Sequence, residues 1–240
     1  MNDKLYIVIP AYNEEENIEK VVKDWYPIVE KYGEDSKMVV VDDGSKDSTY
    51  AKLQTLAKDR PSLIPLSKPN SGHGPAVLLG YRYSCEGGAD YIFQTDSDGQ
   101  TSPDEFPAFW ERRNEWDMVI GHRIRRKDGV SRVIVTKVLR MAVWLFLGVW
   151  VTDANTPFRL MTRESLEMCL SIIPEEYNLP NVIISAALAK KKKKILYIPI
   201  TFKARQGGVN SIDMKKIVCI GIRAVRDFAI IKRRIKGKDV

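Results

Sequence analysis

Cysteine and histidine are scarce in this chain, 3 and 2 among 240 residues. Cys85, Cys169 and Cys219 are odd in number, far apart and in no paired spacing, which argues against a disulfide framework and a zinc site. They are expected to be buried, reduced thiols. His73 and His122 are isolated, with no partner spacing for metal binding or nucleophilic catalysis. Long apolar runs are also missing. The segment from Leu139 to Val151 is interrupted by Arg140, and its 11 uncharged residues from Met141 onward fall short of the ~20 that a bilayer-spanning helix needs. The opening residues lack the charged start, apolar middle and small-residue cleavage site of a secretory signal, because Asn2 and Asp3 lead directly into a strand-like segment. A protein that stays in the cytosol is expected. There is no internal repeat, and Lys190 to Lys194 is the only low-complexity stretch.

The composition, 44% hydrophobic and 29% charged, suits one large globular domain, or a domain with a short membrane-facing extension. A net charge of +7 favours an anionic partner: nucleic acid, anionic lipid or a phosphorylated substrate. No helix with a base-reading pattern and no aromatic-rich strand platform is present, so nucleic acid is not expected. From Lys4 to Asp98 short apolar runs alternate with helix-like stretches: LYIVIP, Glu15 to Tyr32, KMVVVDD, Ser48 to Arg60, LIPLS, Pro75 to Glu86, DYIFQTD. Such alternation predicts an α/β fold, a mostly parallel sheet flanked by helices, with ligands at the carboxyl ends of the strands. Every polar cluster of interest falls at such an end: Asn13-Glu14, Asp42 to Ser45, Asn70 to Gly74, and Asp96 to Asp98.

The second half differs. Met118 to Arg123 reads as a further strand and ILYIPI as another, while Leu139 to Val151 has the character of an interfacial segment. Over Ile212 to Ile235 one helical face carries Ile217, Ile222, Val225, Phe228 and Ile231, and the opposite face carries lysines and arginines. Such a helix either sits in a membrane interface or packs on the domain with its basic face in water.

Asp96 and Asp98 are the sharpest chemical signal. An Asp-x-Asp after an apolar strand directs two carboxylates into the crevice formed by the other strand ends, and two hard oxygen ligands suit Mg²⁺ or Mn²⁺ shared with a diphosphate. The same tripeptide is also common in surface loops. Asp42 and Asp43 could accept hydrogen bonds from a base or ribose, or could form a turn in which Asp47 and Ser48 cap the following helix. Asn70 to Gly74 either wraps a phosphate with backbone amides ahead of a helix or is a plain loop, since the third glycine of a dinucleotide fingerprint is missing.

Taken together, IVIPAYNEEENI, VVVDDGSKDST, NSGHGPAVLLGY and TDSDGQTSPDEF resemble the donor site of family 2 glycosyltransferases with the GT-A Rossmann-like fold. IGHRIRRKDGVSR, DANTPFRLM and FKARQGGVNS are similar to the dolichyl- and polyprenyl-phosphate sugar synthases of that family. The resemblance implies a catalytic domain over residues 1–210, with a membrane-facing segment near 131–151, and a C-terminal amphipathic helix over 211–240. It implies that Pro10, Tyr12, Glu14 and Asp42 hold the nucleoside, and that Asp96, Asp98 and Gln100 surround Mg²⁺ or Mn²⁺ and the diphosphate. Arg123 and Arg132 would face the acceptor phosphate with Thr136 as a hydroxyl partner, and Arg205 would close over the donor phosphates. Arginine's planar fork suits phosphate oxygens.

Family members that glycosylate sugar hydroxyls carry a Glu-Asp pair beyond the metal motif, with the aspartate as general base. None occurs in the second half here, where the nearest candidates are Glu175 and Glu176. A phosphate acceptor is already ionised and needs orientation more than deprotonation. The expected activity is inverting transfer of a hexose from a nucleotide diphosphate sugar, GDP-mannose or a UDP-hexose, to a polyprenyl or dolichyl phosphate. The alternative is transfer to a saccharide hydroxyl in surface polysaccharide synthesis. Peripheral attachment to the inner face of a membrane is expected, as the segment after the catalytic domain holds no spanning helix.

Overall fold

The computed structural model describes residues 3–33, 35–123, 140–141, 143–145 and 147–203. Arg132, Thr136, Arg205, Cys219 and the basic helix expected over Ile212 to Ile235 lie outside the described residues. The predicted alternation is present: β1 (Leu5–Ala11), α1 (Ile18–Lys31), β2 (Lys37–Asp42), α2 (Thr49–Ala57), β3 (Leu63–Ser67), α3 (His73–Glu86) and β4 (Tyr91–Gln94). A 3₁₀ turn at Pro103–Glu105 leads into α4 (Phe106–Trp110), followed by β5 (Met118–Arg123). The chain then forms β6 (Arg159–Thr162), α5 (Arg163–Leu170), α6 (Pro180–Lys190) and β7 (Ile195–Ile200).

These strands make one seven-stranded sheet in the order β3-β2-β1-β4-β6-β5-β7. β6 is antiparallel to both β4 and β5, and every other pairing is parallel. It is the one strand that the sequence pattern did not mark: four residues that open on an arginine carry no period-2 signal. Alternating side chains send Tyr6, Val8, Val39 and Val41 to a core shared with α3, α5 and α6. Leu5, Ile7, Ile9, Met38 and Val40 point to the other face, against α1, Leu53 of α2, and α4. The apolar residues of α1, Ile18, Val21, Val22, Trp25, Tyr26 and Val29, fall at helical spacing and are all buried.

α1 begins three residues later than the pattern predicts, because Glu15 is drawn into a tie between the β1 and β2 loops. Its N–H donates to Asp47 (3.2 Å), and its carboxylate accepts from the Ser48 N–H (3.0 Å). Pro10 is tolerated in a central strand since it falls past the last β1–β4 pair, Val8 with Gln94, where no ladder N–H is needed. Phe93 of β4 stands edge-on to Phe106 and Phe158, with ring centroids 4.9 and 4.7 Å apart, which fixes the strand that leads to Asp96. Burial pushes the Cys169 thiol up to about 12 and the half-buried Cys85 thiol likewise, as expected for unreactive thiols.

Candidate active site

A cleft of 410 Å³ opens at the carboxyl ends of β1 and β4, lined by Pro10, Tyr12, Glu14, Asp43, Asn70, His73, Asp96 and Asp98 among others. β1 is flanked by β2 on one side and β4 on the other. This is the point of an open α/β sheet at which the strand order reverses, and ligands bind in the crevice there. All four polar clusters read from the sequence meet at this place.

The turn that carries Asp96 and Asp98 is closed locally. Thr95 and Thr101 hydroxyls share a buried hydrogen bond (2.7 Å), and the Gln100 N–H donates to Asp98 Oδ1 (3.1 Å). Gly99 takes φ +69°, a left-handed conformation that glycine adopts without cost. Asp96 Oδ1 is buried with no hydrogen-bond partner, and His73 Nε2 stands 3.9 Å away, beyond hydrogen-bonding reach. A buried, unpartnered carboxylate oxygen beside a second carboxylate is what a hard divalent cation would satisfy, so the residues present fit Mg²⁺ or Mn²⁺. Among the described residues no group of three or more His, Cys, Asp and Glu side chains could hold a metal. The remaining ligands would come from diphosphate and water. Gln100 is turned elsewhere: its amide donates to the Lys203 carbonyl (2.9 Å) and braces the turn against the end of β7.

At the β1 end of the cleft, Tyr12 is 43% exposed while Glu14 is buried. Asn13 takes φ +52° and bridges to the next loop, its N–H donating to Ser45 Oγ (2.9 Å) and its Oδ1 accepting from the Lys46 N–H (2.9 Å). The two adjacent aspartates divide their work. Asp42 is buried and accepts from the Ser45 N–H (3.3 Å) and the Ser67 hydroxyl (3.1 Å), outside the lining of the cleft. Asp43 lines the cleft and fastens the loop before α3, accepting from Lys68 Nζ (2.8 Å) and from the N–H groups of Ser71 (3.0 Å) and Gly72 (2.8 Å). Asp47 caps α2 through the Thr49 N–H (3.0 Å), the turn-and-cap role open to this segment. The Asn70 to Gly74 loop is also braced from outside. A Cβ on Gly74 would lie 2.2 Å from the Tyr177 carbonyl oxygen, so only glycine fits.

Arg123 lies at the same edge of the sheet. The register places Gln94, Arg159 and Ile120 side by side on β4, β6 and β5, so Arg123 ends two strand spacings, ~10 Å, to the side of Asp96. Its guanidinium is already oriented. Nε and Nη2 donate to the Asp153 carboxylate (3.1 and 2.8 Å), and the group lies 5.2 Å from the Phe202 ring centroid. Among the described residues this edge-on pair leaves Nη1 without a hydrogen-bond partner, where it could meet another anion. His122 precedes it on β5, half-buried and outside the cleft lining. Glu175 and Glu176 are exposed and do not line the cleft, and Glu175 lies 3.9 Å from Arg82.

Two residues of consequence were not assigned from the sequence. Asp153 carries a signal there, being the only acid between Asp128 and Glu164. Arg159 lies directly behind the Asp96 turn and is fully buried. It donates to the carbonyls of Thr156 (2.9 and 2.6 Å), Ala154 (3.0 Å) and Asn181 (3.0 Å) and to Ser185 Oγ (3.3 Å). Burial lowers its pKa, and the carboxylates of Asp153 and Asp96 oppose that shift. It stays charged nonetheless.

Residues 6–169 match the family described as glycosyl transferase family 2. The chain is 29% identical over 222 residues to an undecaprenyl-phosphate mannosyltransferase of Micrococcus luteus, covering 88% of each protein. It is 30% identical over 189 residues to a UDP-N-acetylglucosamine–dolichyl-phosphate N-acetylglucosaminyltransferase of Methanococcus voltae, covering 70% of this chain and 73% of that one. Among solved structures, glucosyl-3-phosphoglycerate synthase from Mycobacterium tuberculosis, in complex with Mn²⁺, uridine diphosphate and phosphoglyceric acid, superposes with a TM-score of 0.66 at 17% identity, covering 96% of this chain and 78% of that one. The likeness shows a GT-A-like fold.

Proposed function

Since this chain belongs to glycosyl transferase family 2, we propose that it is an inverting hexosyltransferase that moves a sugar from a nucleotide diphosphate sugar, GDP-mannose or a UDP-hexose, to a polyprenyl or dolichyl phosphate at the inner face of a membrane. The observation that carries the reading is the placement of Asp96 and Asp98 in the cleft with Arg123 ~10 Å to the side on the same sheet edge. A separation of that order would leave room for one sugar between a diphosphate held at the carboxylates and an acceptor anion held at the arginine, and in this way supports the reading. The names of the two relatives, a mannosyltransferase on undecaprenyl phosphate and an N-acetylglucosaminyltransferase on dolichyl phosphate, support the acceptor class.

In this reading Tyr12 and Glu14 seat the nucleoside, and the Asp43-fastened loop shapes the wall beside it. Asp96 and Asp98 would hold Mg²⁺ or Mn²⁺, which when bound offsets the negative charge on the leaving diphosphate. Arg123, fixed by Asp153, orients the acceptor phosphate. One of its oxygens forms a bond to the anomeric carbon from the face opposite the leaving group. The bond from that carbon to the diphosphate oxygen breaks, and its electron pair departs with the nucleoside diphosphate. No proton has to be removed from an ionised phosphate, so no carboxylate base is required. Glu175 and Glu176, the acids a hydroxyl acceptor would call upon, stand exposed outside the cleft lining.

Arg123→Lys tests the acceptor side. Lysine keeps the charge but loses the planar fork that can serve Asp153 and a phosphate together. The KM for polyprenyl phosphate is expected to rise by about 10- to 100-fold, with the KM for the nucleotide sugar unchanged. Unchanged acceptor KM, or an equal rise in both constants, contradicts the assignment.

A further inference from the structure

Arg159 is a fully buried cation whose contacts, among the described residues, are carbonyl and hydroxyl oxygens. A charge kept in the interior without a carboxylate partner is costly, and a methionine or leucine would fill the same space with less penalty. The contacts show what the guanidinium does there. Three of its five hydrogen bonds go to one short segment: Nε and Nη2 donate to the Thr156 carbonyl, and Nη2 also donates to that of Ala154. The other two, from Nη1, reach the Asn181 carbonyl and Ser185 Oγ on α6. The planar fork of arginine can bridge loop and helix in this way, whereas a lysine ammonium cannot span both sets of oxygens at once.

The clamped segment is the one that carries Asp153. Residues 153–157 form neither strand nor helix, so no ladder of backbone bonds fixes them. Their carbonyls at Ala154 and Thr156 turn inward to Arg159, and the Thr156 N–H returns to the Asp153 carbonyl (3.4 Å). Ser185 Oγ lies 3.2 Å from the same Ala154 carbonyl and tightens the grip. Immediately before the clamp, Asp153 is buried and receives Nε and Nη2 of Arg123 at 3.1 and 2.8 Å. A displacement of ~1 Å would take that carboxylate out of hydrogen-bonding range. The order of contacts is therefore Arg159, loop, Asp153, Arg123.

We propose that Arg159 is a positioning residue for Arg123: by clamping the 153–157 loop to α6 from behind, it fixes Asp153 so that this carboxylate holds the Arg123 guanidinium in one orientation. The use of that orientation in transfer rests on the acceptor reading of Arg123, but the clamp is read without any substrate.

The test uses Arg159→Lys in the full chain, beside Ile184→Ala, a core change in α6 that loses stability without removing a contact to the loop. Both are studied well below their urea midpoints. Nitrogen-15 spectra of the arginine side chains report the clamp directly, with the Arg123 Nε–H signal identified by its absence from Arg123→Lys. That signal is expected to exchange slowly with solvent in the wild type and in Ile184→Ala, and to shift and exchange faster in Arg159→Lys. In the transfer assay Arg159→Lys should raise the KM for polyprenyl phosphate about tenfold, leave the KM for the nucleotide sugar unchanged, and add nothing further in an Arg123→Lys background. An Arg123 signal untouched by Arg159→Lys, or altered equally by Ile184→Ala, overturns the proposal. A changed signal with an unchanged acceptor KM leaves the clamp standing and removes the acceptor role of Arg123. An acceptor KM raised by Arg123→Lys, beside an untouched signal in Arg159→Lys, does the reverse.

Discussion

Replacing Asp96 by asparagine is expected to lower the rate of sugar transfer by on the order of 10²–10³-fold while leaving the denaturation midpoint unchanged or higher. The two effects share one cause. Asp96 Oδ1 is buried without a hydrogen-bond partner, two residues from a second carboxylate at Asp98. The side chain is 26% exposed at the cleft and its charge is met by no closer partner than His73 at 3.9 Å, so the fold is expected to lose little when that charge is removed. Asparagine retains the shape and removes the charge and its repulsion from Asp98. What is lost is the anionic ligand that would share a divalent cation with the donor diphosphate. Transfer rates across a Mn²⁺ titration, paired with urea denaturation, give both quantities. An unaltered rate removes Asp96 from the site, and a collapsed midpoint makes it a structural residue.

Arg159→Met is expected to act in the opposite sense, as a stability change first. The arginine is fully buried, and its contacts are carbonyl and hydroxyl oxygens rather than a carboxylate. Removing it relieves the cost of a buried charge, which by itself would favour methionine. Against this, the Thr156 carbonyl loses both of its short bonds (2.9 and 2.6 Å) and the Ala154 carbonyl loses one. Ser185 Oγ lies within 3.2 Å of the Ala154 carbonyl and 2.9 Å of that of Asn181, but its single proton can serve one of them at a time. Buried orphaned carbonyls dominate, and the expected loss is about 2–4 kcal/mol, a sizeable share of the roughly 5–15 kcal/mol that holds a domain together. A urea midpoint equal to that of the wild type contradicts this view of the β6 junction.

The first half of the fold was legible because its signals are local. Apolar runs such as VVV before Asp42 and helical spacing such as that of α1 each report one element, and alternation of the two implies the parallel sheet. The cleft followed from the same pattern, since polar clusters at the ends of strands must meet wherever those strands lie side by side. β6 was not legible. It is short, contains Arg159, and exists because β4 and β5 leave room for a reversed strand between them, which is a property of the assembled sheet. The roles of neighbouring acids were equally hidden: nothing in the dipeptide says that Asp42 turns to Ser67 while Asp43 faces the cleft and holds the loop before α3. Arg123 was singled out by its resemblance to related proteins, but its partner was not, because 30 residues separate it from Asp153. The segment after Leu139 was readable as apolar, and only the fold shows which of its described side chains face out.

The central claim is sugar transfer onto a lipid phosphate, and a two-phase transfer assay addresses it most directly. The protein is given Mn²⁺ or Mg²⁺, radiolabelled GDP-mannose or UDP-hexoses, and a polyprenyl phosphate, with Asp98→Ala as the comparison. The expected result is label moving into the organic phase from one donor class, dependent on the added metal and lost with Asp98→Ala. Label that stays out of the lipid but appears on an added oligosaccharide would contradict the claim and assign the acceptor site to a hydroxyl.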